Sequence, residues 1–215
     1  MPEKPIIIFD LDGTLIDSRA DLADAVNEVR QLRSLPILTL QQVISYVGDG
    51  QRNLMKRAIP GLDEDDLTVA CHQMSACYAK RLTAKTRLYP GVAETLPILA
   101  QSFNLCVVSN KNDDAVKEIL RQLDILRHFA ATVGGGRCKK LKPDPEPMLL
   151  AASICGGSLE GGWVVGDHRT DLAAAKNANM HACFCGYGFG IQDKERADAV
   201  IQRFSQLLDI LQLEL

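Results

Sequence analysis

The sequence predicts an α/β protein that has a doubly wound parallel sheet and an inserted all-helical segment. A continuous apolar run at residues 6–9 leads directly into two aspartates, which is typical of a strand buried on both faces. Residues 17–87, which we call the insertion, carry helical periodicity and no strand pattern. From residue 88 onward strands alternate with helices, which indicates parallel strands joined by right-handed helical crossovers.

The first strand ends in a pair of carboxylates. Asp10 and Asp12 follow the apolar run, and open α/β sheets bind their ligands at this carboxyl edge. Two close carboxylates repel each other, so we expect a hard cation such as Mg²⁺, which prefers oxygen ligands, beside them. Gly13 allows a sharp turn of the backbone, and Thr14 adds a hydroxyl group at the same point.

The insertion is predicted to contain several helices. Ser18 and Asp21 have the spacing of a capping box before the first helix, and Thr39 can cap a second, short one. A glycine-containing break at residues 48–50 separates this short helix from a third one at about residues 51–58. The acidic residues 63–66 favour the start of a long last helix, because they complement the helix dipole.

Five more strands are predicted after the insertion, at residues 105–108, 129–133, 163–165, 181–185 and 199–201. Polar residues follow three of them: Ser109, Asn110, Lys142, Asp167 and Asp171. Thr170 can cap the helix that contains Asp171. Because the carboxyl ends of parallel strands meet at one edge of the sheet, we expect these residues to form a single site with the first two aspartates.

The collected groups suit a phosphate. Three or four carboxylates can hold Mg²⁺, while a lysine and a small hydroxyl remain to neutralise and bind a dianion. A free carboxylate can attack phosphorus and form an aspartyl-phosphate. A neighbouring carboxylic acid can protonate the leaving oxygen and then activate water.

Four motifs occur in order along the chain. They are FDLDGTL at residues 9–15, VVSN at 107–110, KP at 142–143, and VGD at 165–167 with Asp171 four residues on. With these motifs the whole chain resembles the haloacid-dehalogenase-superfamily phosphatases, and within them the phosphoglycolate-phosphatase group. Four motifs in this order after four separate strands make the resemblance highly specific. His168 departs from the pattern, since the family more often has a small residue there.

The resemblance implies two domains. Residues 1–16 and 88–215 would form the Rossmann-like core of the family, and residues 17–87 would form a helical cap domain. In phosphoglycolate phosphatases a similar cap closes over the core site. The cap therefore contacts the part of the substrate that is not the phosphate.

The resemblance also implies roles for the core residues. Asp10 would be the nucleophile, and Asp12 would be the general acid/base and would offer the metal ion its backbone carbonyl. Ser109 and Lys142 would hold the transferring phosphoryl group. Asp171 would bind the metal ion directly or through water. The implied Mg²⁺ ligands are Asp10, Asp12, Asp167 and Asp171.

The break in the insertion predicts substrate choice. Gly48 and Gly50 allow the backbone to approach a ligand closely, and the free amides of the helix that begins at Gln51 can receive an anion. Arg52 lies in the first turn of that helix, where it can pair with a carboxylate. We therefore expect 2-phosphoglycolate to be the preferred monoester. The predicted substrate-binding residues are Thr14, Gly48, Arg52 and Asn110.

Other functions share parts of this pattern. A phosphatase of another small phosphate (a sugar phosphate, a nucleotide or pyrophosphate) and a mutase similar to β-phosphoglucomutase remain open. The dehalogenase branch lacks the second acid, which Asp12 supplies here. A phosphonatase would use a cap lysine, for which Lys56 is the candidate. A receiver domain of two-component signalling has similar groups, but it has about half of this length.

Composition argues against several further classes. The chain of 215 residues is 47% hydrophobic, which is enough to form the core of one large domain or one and a half. A net charge of -3 and a pI near 5.8 argue against nucleic-acid and membrane-surface partners. No apolar run spans a bilayer, no signal peptide is expected, and seven cysteines without a CxxC pair favour free thiols in a reducing compartment. We expect a cytoplasmic monomer or homodimer that acts on a small-molecule phosphate monoester.

Overall fold

A parallel sheet of six strands organises the computed structural model, which describes residues 4–213. The strands are β1 (Ile6–Phe9), β2 (Ile16–Asp17), β3 (Arg87–Leu88), β4 (Asn104–Asn112), β5 (Ala131–Gly135), β6 (Trp163–Gly166), β7 (His181–Cys185) and β8 (Ala199–Ile201). The large sheet has the order β5-β4-β1-β6-β7-β8, and each neighbouring pair is parallel. The predicted α/β class with a doubly wound parallel sheet is confirmed. Residues 1–3 and 214–215 of the predicted core lie outside the described residues.

Helices cover both faces of the sheet. They are α1 (Arg19–Leu32), α2 (Leu40–Ile44), α3 (Gln51–Ala58), α4 (Glu64–Ala79), α5 (Val92–Ser102), α6 (Asp113–Gln122), α7 (Glu146–Cys155), α8 (Arg169–Asn177) and α9 (Leu207–Ile210). In the central strand β1, Ile6 and Ile8 belong to the core formed with α7 and α8, whereas Ile7 and Phe9 belong to the core formed with α5, α6 and α9. Each of these side chains is fully buried, which contributes roughly 1.5–3 kcal/mol apiece. Burial on both faces explains why the strand is a continuous apolar run.

The insertion joins the core through a short antiparallel ribbon. Ile16 pairs with Leu88 and Asp17 pairs with Arg87, so β2 and β3 bring the two ends of the insertion together. The sequence showed no strand here, because two residues are too few to display a period. The predicted domain boundaries, between residues 16 and 17 and between 87 and 88, pass through this ribbon, and the division itself stays a prediction.

One predicted helix cap is present, and the predicted acidic start of the long helix contains a second cap. The side chain of Thr39 accepts a hydrogen bond from the backbone N–H of Gln42, and the Gln42 side chain completes the capping box of α2. Asp63 accepts from the N–H of Asp66 at 2.8 Å and caps α4. Both caps are local in sequence, which is why the spacing alone could predict the first and why an acidic residue at the start of α4 is favourable.

Two other predicted caps are wrong. Ser18 makes no side-chain cap for α1, because its hydroxyl instead donates to Asp12. Asp21 accepts from the backbone N–H groups of Lys85 and Thr86 at 2.9 and 2.7 Å, and so ties the two ends of the insertion together. The cap of α8 is His168 rather than Thr170, since the imidazole Nδ1 accepts from the N–H of residue 170 at 3.3 Å.

Two strands also differ from their predicted positions. β4 continues past residue 108 to Asn112, with a register shift against β5, so Ser109 and Asn110 lie within the strand rather than after it. The predicted strand at 129–133 is β5 at Ala131–Gly135, because a 3₁₀ turn at Leu126–His128 precedes it. None of the helices in the described part of the chain combines the length and the apolar character that crossing a bilayer requires.

Candidate active site

The end of β1 sets the position of the first two acids. The N–H of Asp10 donates to the carbonyl of Val165 at 2.9 Å, which fixes the nucleophile candidate against β6. Gly13 then turns the chain with a φ of +87°. A Cβ at this glycine would lie 1.8 Å from a carboxylate oxygen of Asp167, so the turn and the close approach of that acid both require glycine.

Three buried carboxylates converge at this edge of the sheet. Asp10, Asp167 and Asp171 each offer one oxygen atom, and these atoms lie within 4.8 Å of one another. Burial raises the pKa of Asp10 to about 7 and raises the pKa of Asp167 well above its usual range. Buried carboxylates at such separations are costly unless a cation or protons neutralise them. The all-oxygen donor set fits a hard divalent ion such as Mg²⁺.

The carboxylate of Asp12 does not join this cluster. Both of its oxygens accept hydrogen bonds from the Lys111 ammonium, at 2.7 and 2.8 Å, and one of them also accepts from Ser18. Of the four predicted metal ligands, the structure therefore brings three side chains together. A contact between Asp12 and a metal ion would be made through its main-chain carbonyl, as the resemblance implied.

Lys142 links the acids. Its Nζ atom donates to Asp10 and to Asp171, each at 2.7 Å, and to the carbonyl of Val108 at 2.6 Å. Burial alone would lower the pKa of this lysine, but the two carboxylates outweigh burial and hold the pKa above its usual value. Lys139 and Lys140 are exposed, whereas Lys142 is buried.

A glycine-rich loop after β7 supports Asp167. One oxygen of this carboxylate accepts from the N–H groups of Phe189 and Gly190 at 2.9 and 2.7 Å. Gly188 and Gly190 lie so close that a Cβ at either would be 2.5 Å or less from some atom of Asp167. This loop was not among the predicted site segments, although its alternating glycines directly after a strand were a signal that could have identified it.

Eight of the ten predicted site residues line one cavity of about 480 Å³, which is a size typical of small-molecule sites. They are Asp10, Asp12, Gly48, Ser109, Asn110, Lys142, Asp167 and Asp171. Thr14 is fully buried elsewhere: its hydroxyl has no hydrogen-bond partner, and its carbonyl accepts from Tyr187.

Arg52 also lies outside the cavity lining, and its position does not support the predicted role. Its side chain is exposed and pairs with Glu64, with a further contact of 3.4 Å to Thr68. The amide of Gln51 fixes the orientation of α3 by donating to Cys71 and Ser75 of α4. The sequence spacing could not reveal the pairing of Arg52, because its partner Glu64 belongs to the following helix, α4.

The insertion is closed against the core beside the cavity. Gly48 has a φ of +118°, and a Cβ at this position would lie 2.6–2.8 Å from three ring atoms of His168. The carbonyl of Gly48 accepts from the amide of Asn110 at 3.0 Å, and that amide also bonds to the backbone of Lys142. Glycine at residue 48 thus allows the insertion to approach the core closely. The Asn110 amide connects the backbone of the insertion to the backbone at Lys142 beside the cavity.

Charged side chains make a second contact between insertion and core. Arg169, in the first turn of α8, donates to both carboxylate oxygens of Asp49 at 2.8 and 3.0 Å. Asp49 is also paired with Arg57 of α3. The pair was absent from the sequence analysis because its members are 120 residues apart.

Comparisons with known proteins agree with this geometry. Residues 7–185 match the family described as haloacid dehalogenase-like hydrolase. A phosphoglycolate phosphatase of Salmonella typhimurium is 33% identical over 96% of this chain and 92% of its own length. One from Chromobacterium violaceum is 32% identical over 95% of each chain. A crystal structure described as a predicted phosphoglycolate phosphatase from Haemophilus somnus 129pt superposes with a TM-score of 0.90 at 31% identity, over 98% of this chain and 99% of that one.

Proposed function

The chain belongs to the haloacid dehalogenase-like hydrolases and is a phosphatase, and on that premise we propose that it hydrolyses 2-phosphoglycolate with Mg²⁺ as its cofactor. The observation that carries the proposal is the position of Lys142 between Asp10 and Asp171, beside the third buried carboxylate, Asp167. An ammonium and three carboxylates on one wall of a cavity suit a dianionic phosphate together with a divalent cation. The choice of substrate is supported by relatives named phosphoglycolate phosphatases that align over nearly the whole chain.

The acidic cluster is proposed to hold the metal ion. Asp167, Asp171 and one oxygen of Asp10 would bind Mg²⁺, and the main-chain carbonyl of Asp12 would add a ligand. When bound, the ion would neutralise charge on the phosphoryl oxygens during transfer. The convergence of Asp10, Asp167 and Asp171 supports a cation at this position, because burial raises the pKa of Asp10 and of Asp167 and Lys142 contacts only the first of these two.

The first chemical step would be carried out by two acids. Lys142 binds one oxygen of Asp10, which leaves the other oxygen free to attack phosphorus. The new bond between Asp10 and phosphorus would replace the ester bond, and Asp12 would give its proton to the departing glycolate oxygen. Ser109 and Lys142 would bind and neutralise the oxygens of the phosphoryl group.

The second step would regenerate the enzyme. Asp12, now ionised, would take a proton from water while the water oxygen attacks phosphorus. The bond between phosphorus and Asp10 then breaks, and inorganic phosphate leaves. The insertion would act as a cap that excludes bulk water during both steps, which the contacts of Gly48 and Asp49 with the core support.

A panel of phosphate monoesters tests the proposal. We expect Mg²⁺-dependent release of phosphate, with a higher kcat/KM for 2-phosphoglycolate than for sugar phosphates, nucleotides or pyrophosphate. Hexose phosphates or nucleotides as the best substrates would retain the phosphatase and refute the substrate. Conversion of one sugar phosphate isomer into another, without release of phosphate, would identify the mutase alternative.

The remaining predictions concern the setting of the enzyme. All seven cysteines are free thiols, which supports the proposed cytoplasmic location because disulfides form in oxidising compartments. A monomeric or homodimeric state stays a prediction, and so does the expectation of no nucleic-acid or membrane partner.

A further inference from the structure

The proposed substrate carries a carboxylate, and one cation of the cavity lining other than Lys142 is placed to receive it. Among the lysines and arginines of residues 4–213, Lys111 and Lys142 line the cavity, whereas Arg52 does not. Lys142 is already bonded to Asp10 and Asp171. His168 also lines the cavity, but its Nδ1 atom accepts the hydrogen bond that caps α8, so its ring is not a cation in this arrangement.

Lys111 lies on the side of the cavity where the leaving group must be. Its ammonium contacts both oxygens of Asp12, the acid that protonates the leaving oxygen in the proposed reaction. A general acid must lie within hydrogen-bond distance of the oxygen it protonates. The Lys111 ammonium is therefore adjacent to the part of the substrate beyond that oxygen. Its two side-chain hydrogen bonds both go to Asp12, and an ammonium has three donors.

The insertion contributes a second group at the same place. Tyr78 of α4 covers Lys111, whose Nζ lies 4.5 Å from the centre of the aromatic ring. Tyr78 lines the cavity and is 5% exposed, and its hydroxyl has no hydrogen-bond partner. A buried hydroxyl without a partner is costly, and a ligand that accepts a hydrogen bond would remove the cost. Burial raises the pKa of Tyr78 to about 12, so the hydroxyl keeps its proton and can donate it.

We propose that Lys111 and Tyr78 form the subsite that binds the carboxylate of the substrate, with an ion pair from the lysine and a hydrogen bond from the tyrosine. The proposal rests on the proposed function, since it assigns the recognition of a carboxylated monoester. Lys111 comes from the core and Tyr78 from the insertion, so the subsite is complete only when the insertion is closed. The leaving group thereby helps to hold the insertion in place.

A ratio of specificity constants tests this assignment. We would measure kcat/KM for 2-phosphoglycolate and for ethyl phosphate, which has a methyl group in place of the carboxylate. Lys111 also contacts Asp12, so Lys111→Met should slow both reactions, but the ratio isolates the carboxylate. Hydrogen bonds to charged groups are worth roughly 10- to 100-fold in binding, so we expect Lys111→Met to lower the ratio by about that factor. Tyr78→Phe should lower it by about 2- to 10-fold.

Matched variants control for unrelated effects. Lys139→Met removes an exposed lysine, Arg52→Ala removes the exposed arginine on the insertion, and Tyr46→Phe removes a tyrosine hydroxyl outside the cavity. Each should leave the ratio unchanged. A readout without turnover uses the Asp10→Asn background: calorimetry should show that Lys111→Met weakens 2-phosphoglycolate binding and leaves ethyl phosphate binding within about twofold.

The outcomes separate the two proposals. If the unaltered enzyme prefers 2-phosphoglycolate but both subsite variants keep its ratio within twofold, the subsite is refuted and the proposed function stands. If Arg52→Ala lowers the ratio instead, the carboxylate binds at the surface of the insertion and the subsite is likewise refuted. If the unaltered enzyme shows no preference for the carboxylated ester, the proposed substrate itself fails and the subsite fails with it.

Discussion

Replacing Gly48 with alanine is expected to slow the enzyme by disturbing closure of the insertion, with little effect on the fold. The added Cβ would lie 2.6–2.8 Å from the ring of His168, whereas ordinary contacts begin near 3.4 Å. The insertion and the core would have to separate locally by about 1 Å. A displacement of about 1 Å at a catalytic site can cost on the order of 10²-fold in rate, and we expect a loss of that order in kcat/KM for 2-phosphoglycolate.

Backbone strain would add to the effect of Gly48→Ala, so a second variant is needed that has the strain without the contact. Gly48 has a φ of +118°, and a residue other than glycine in such a conformation costs roughly 1–3 kcal/mol. Gly61 also lies in the insertion with a positive φ of +88°, but a Cβ there would meet nothing within 4 Å. Gly61→Ala therefore imposes strain without the contact. It should lower Tm by several degrees, since about 1 kcal/mol corresponds to 2–4 °C in a chain of this size, and it should leave kcat/KM unchanged.

The ring of His168 provides the test of the contact itself. In the double variant Gly48→Ala/His168→Ser the clash is removed, and a serine can still cap α8. We expect this variant to recover at least tenfold in kcat/KM relative to Gly48→Ala. A double variant as slow as the single one would mean that backbone strain alone is responsible. A Gly48→Ala enzyme with unaltered kcat/KM would refute the view that turnover requires the closed arrangement described above.

The remaining predictions concern the core of the site. Asp10→Asn should abolish turnover and covalent labelling by phosphate, because an amide is a poor nucleophile, and normal turnover in this variant would require another nucleophile. Asp12→Asn should retain the fold and lose on the order of 10²–10⁴-fold in kcat. Lys142→Met should lower kcat on the order of 10²–10³-fold while Lys139→Met has no effect, and equal effects would contradict the assignment. EDTA should abolish activity, with Ca²⁺ a poor substitute for Mg²⁺. Because Asp10 and Asp167 have raised pKa values when folded, the metal-free folded protein binds more protons than the unfolded chain, and its free energy of unfolding should fall as pH rises from about 4 through 7. Thermal unfolding should accordingly show a larger increase in Tm on adding Mg²⁺ at pH 8 than at pH 5, and equal increases would contradict a metal ion at these carboxylates.

The sequence predicted most of the core side of the site. The carboxyl ends of parallel strands lie at one edge of the sheet, so acids that follow different strands could be assigned to one site from the sequence alone. The place of Lys142 in the cavity lining also followed from its motif. These inferences succeeded because each depends on a residue's position relative to its own strand.

Contacts between distant segments could not be predicted in this way. The pairing of Lys111 with Asp12 joins residues 99 positions apart, and the approach of Gly48 to His168 depends on how the insertion rests on the core. Arg52 had a reasonable local position but found its partner in the next helix. Ser18 fitted a capping pattern, yet its hydroxyl bonds to Asp12. In each case a contact formed by tertiary packing replaced the local one.

The strength of the ion pair between Asp49 and Arg169 bears on how easily the insertion would separate from the core during the catalytic cycle. The arginine side chain is 41% exposed, and pairs of this kind contribute only about 0–1 kcal/mol. In the proposed reaction, a contact of that strength would open at little cost, so the insertion could release glycolate and phosphate once per cycle. Added salt should weaken this ion pair further by screening the two charges. Arg169 lies in the first turn of α8 together with Asp171. One helical turn therefore carries both the arginine that pairs with the insertion and a carboxylate of the acidic cluster in the cavity.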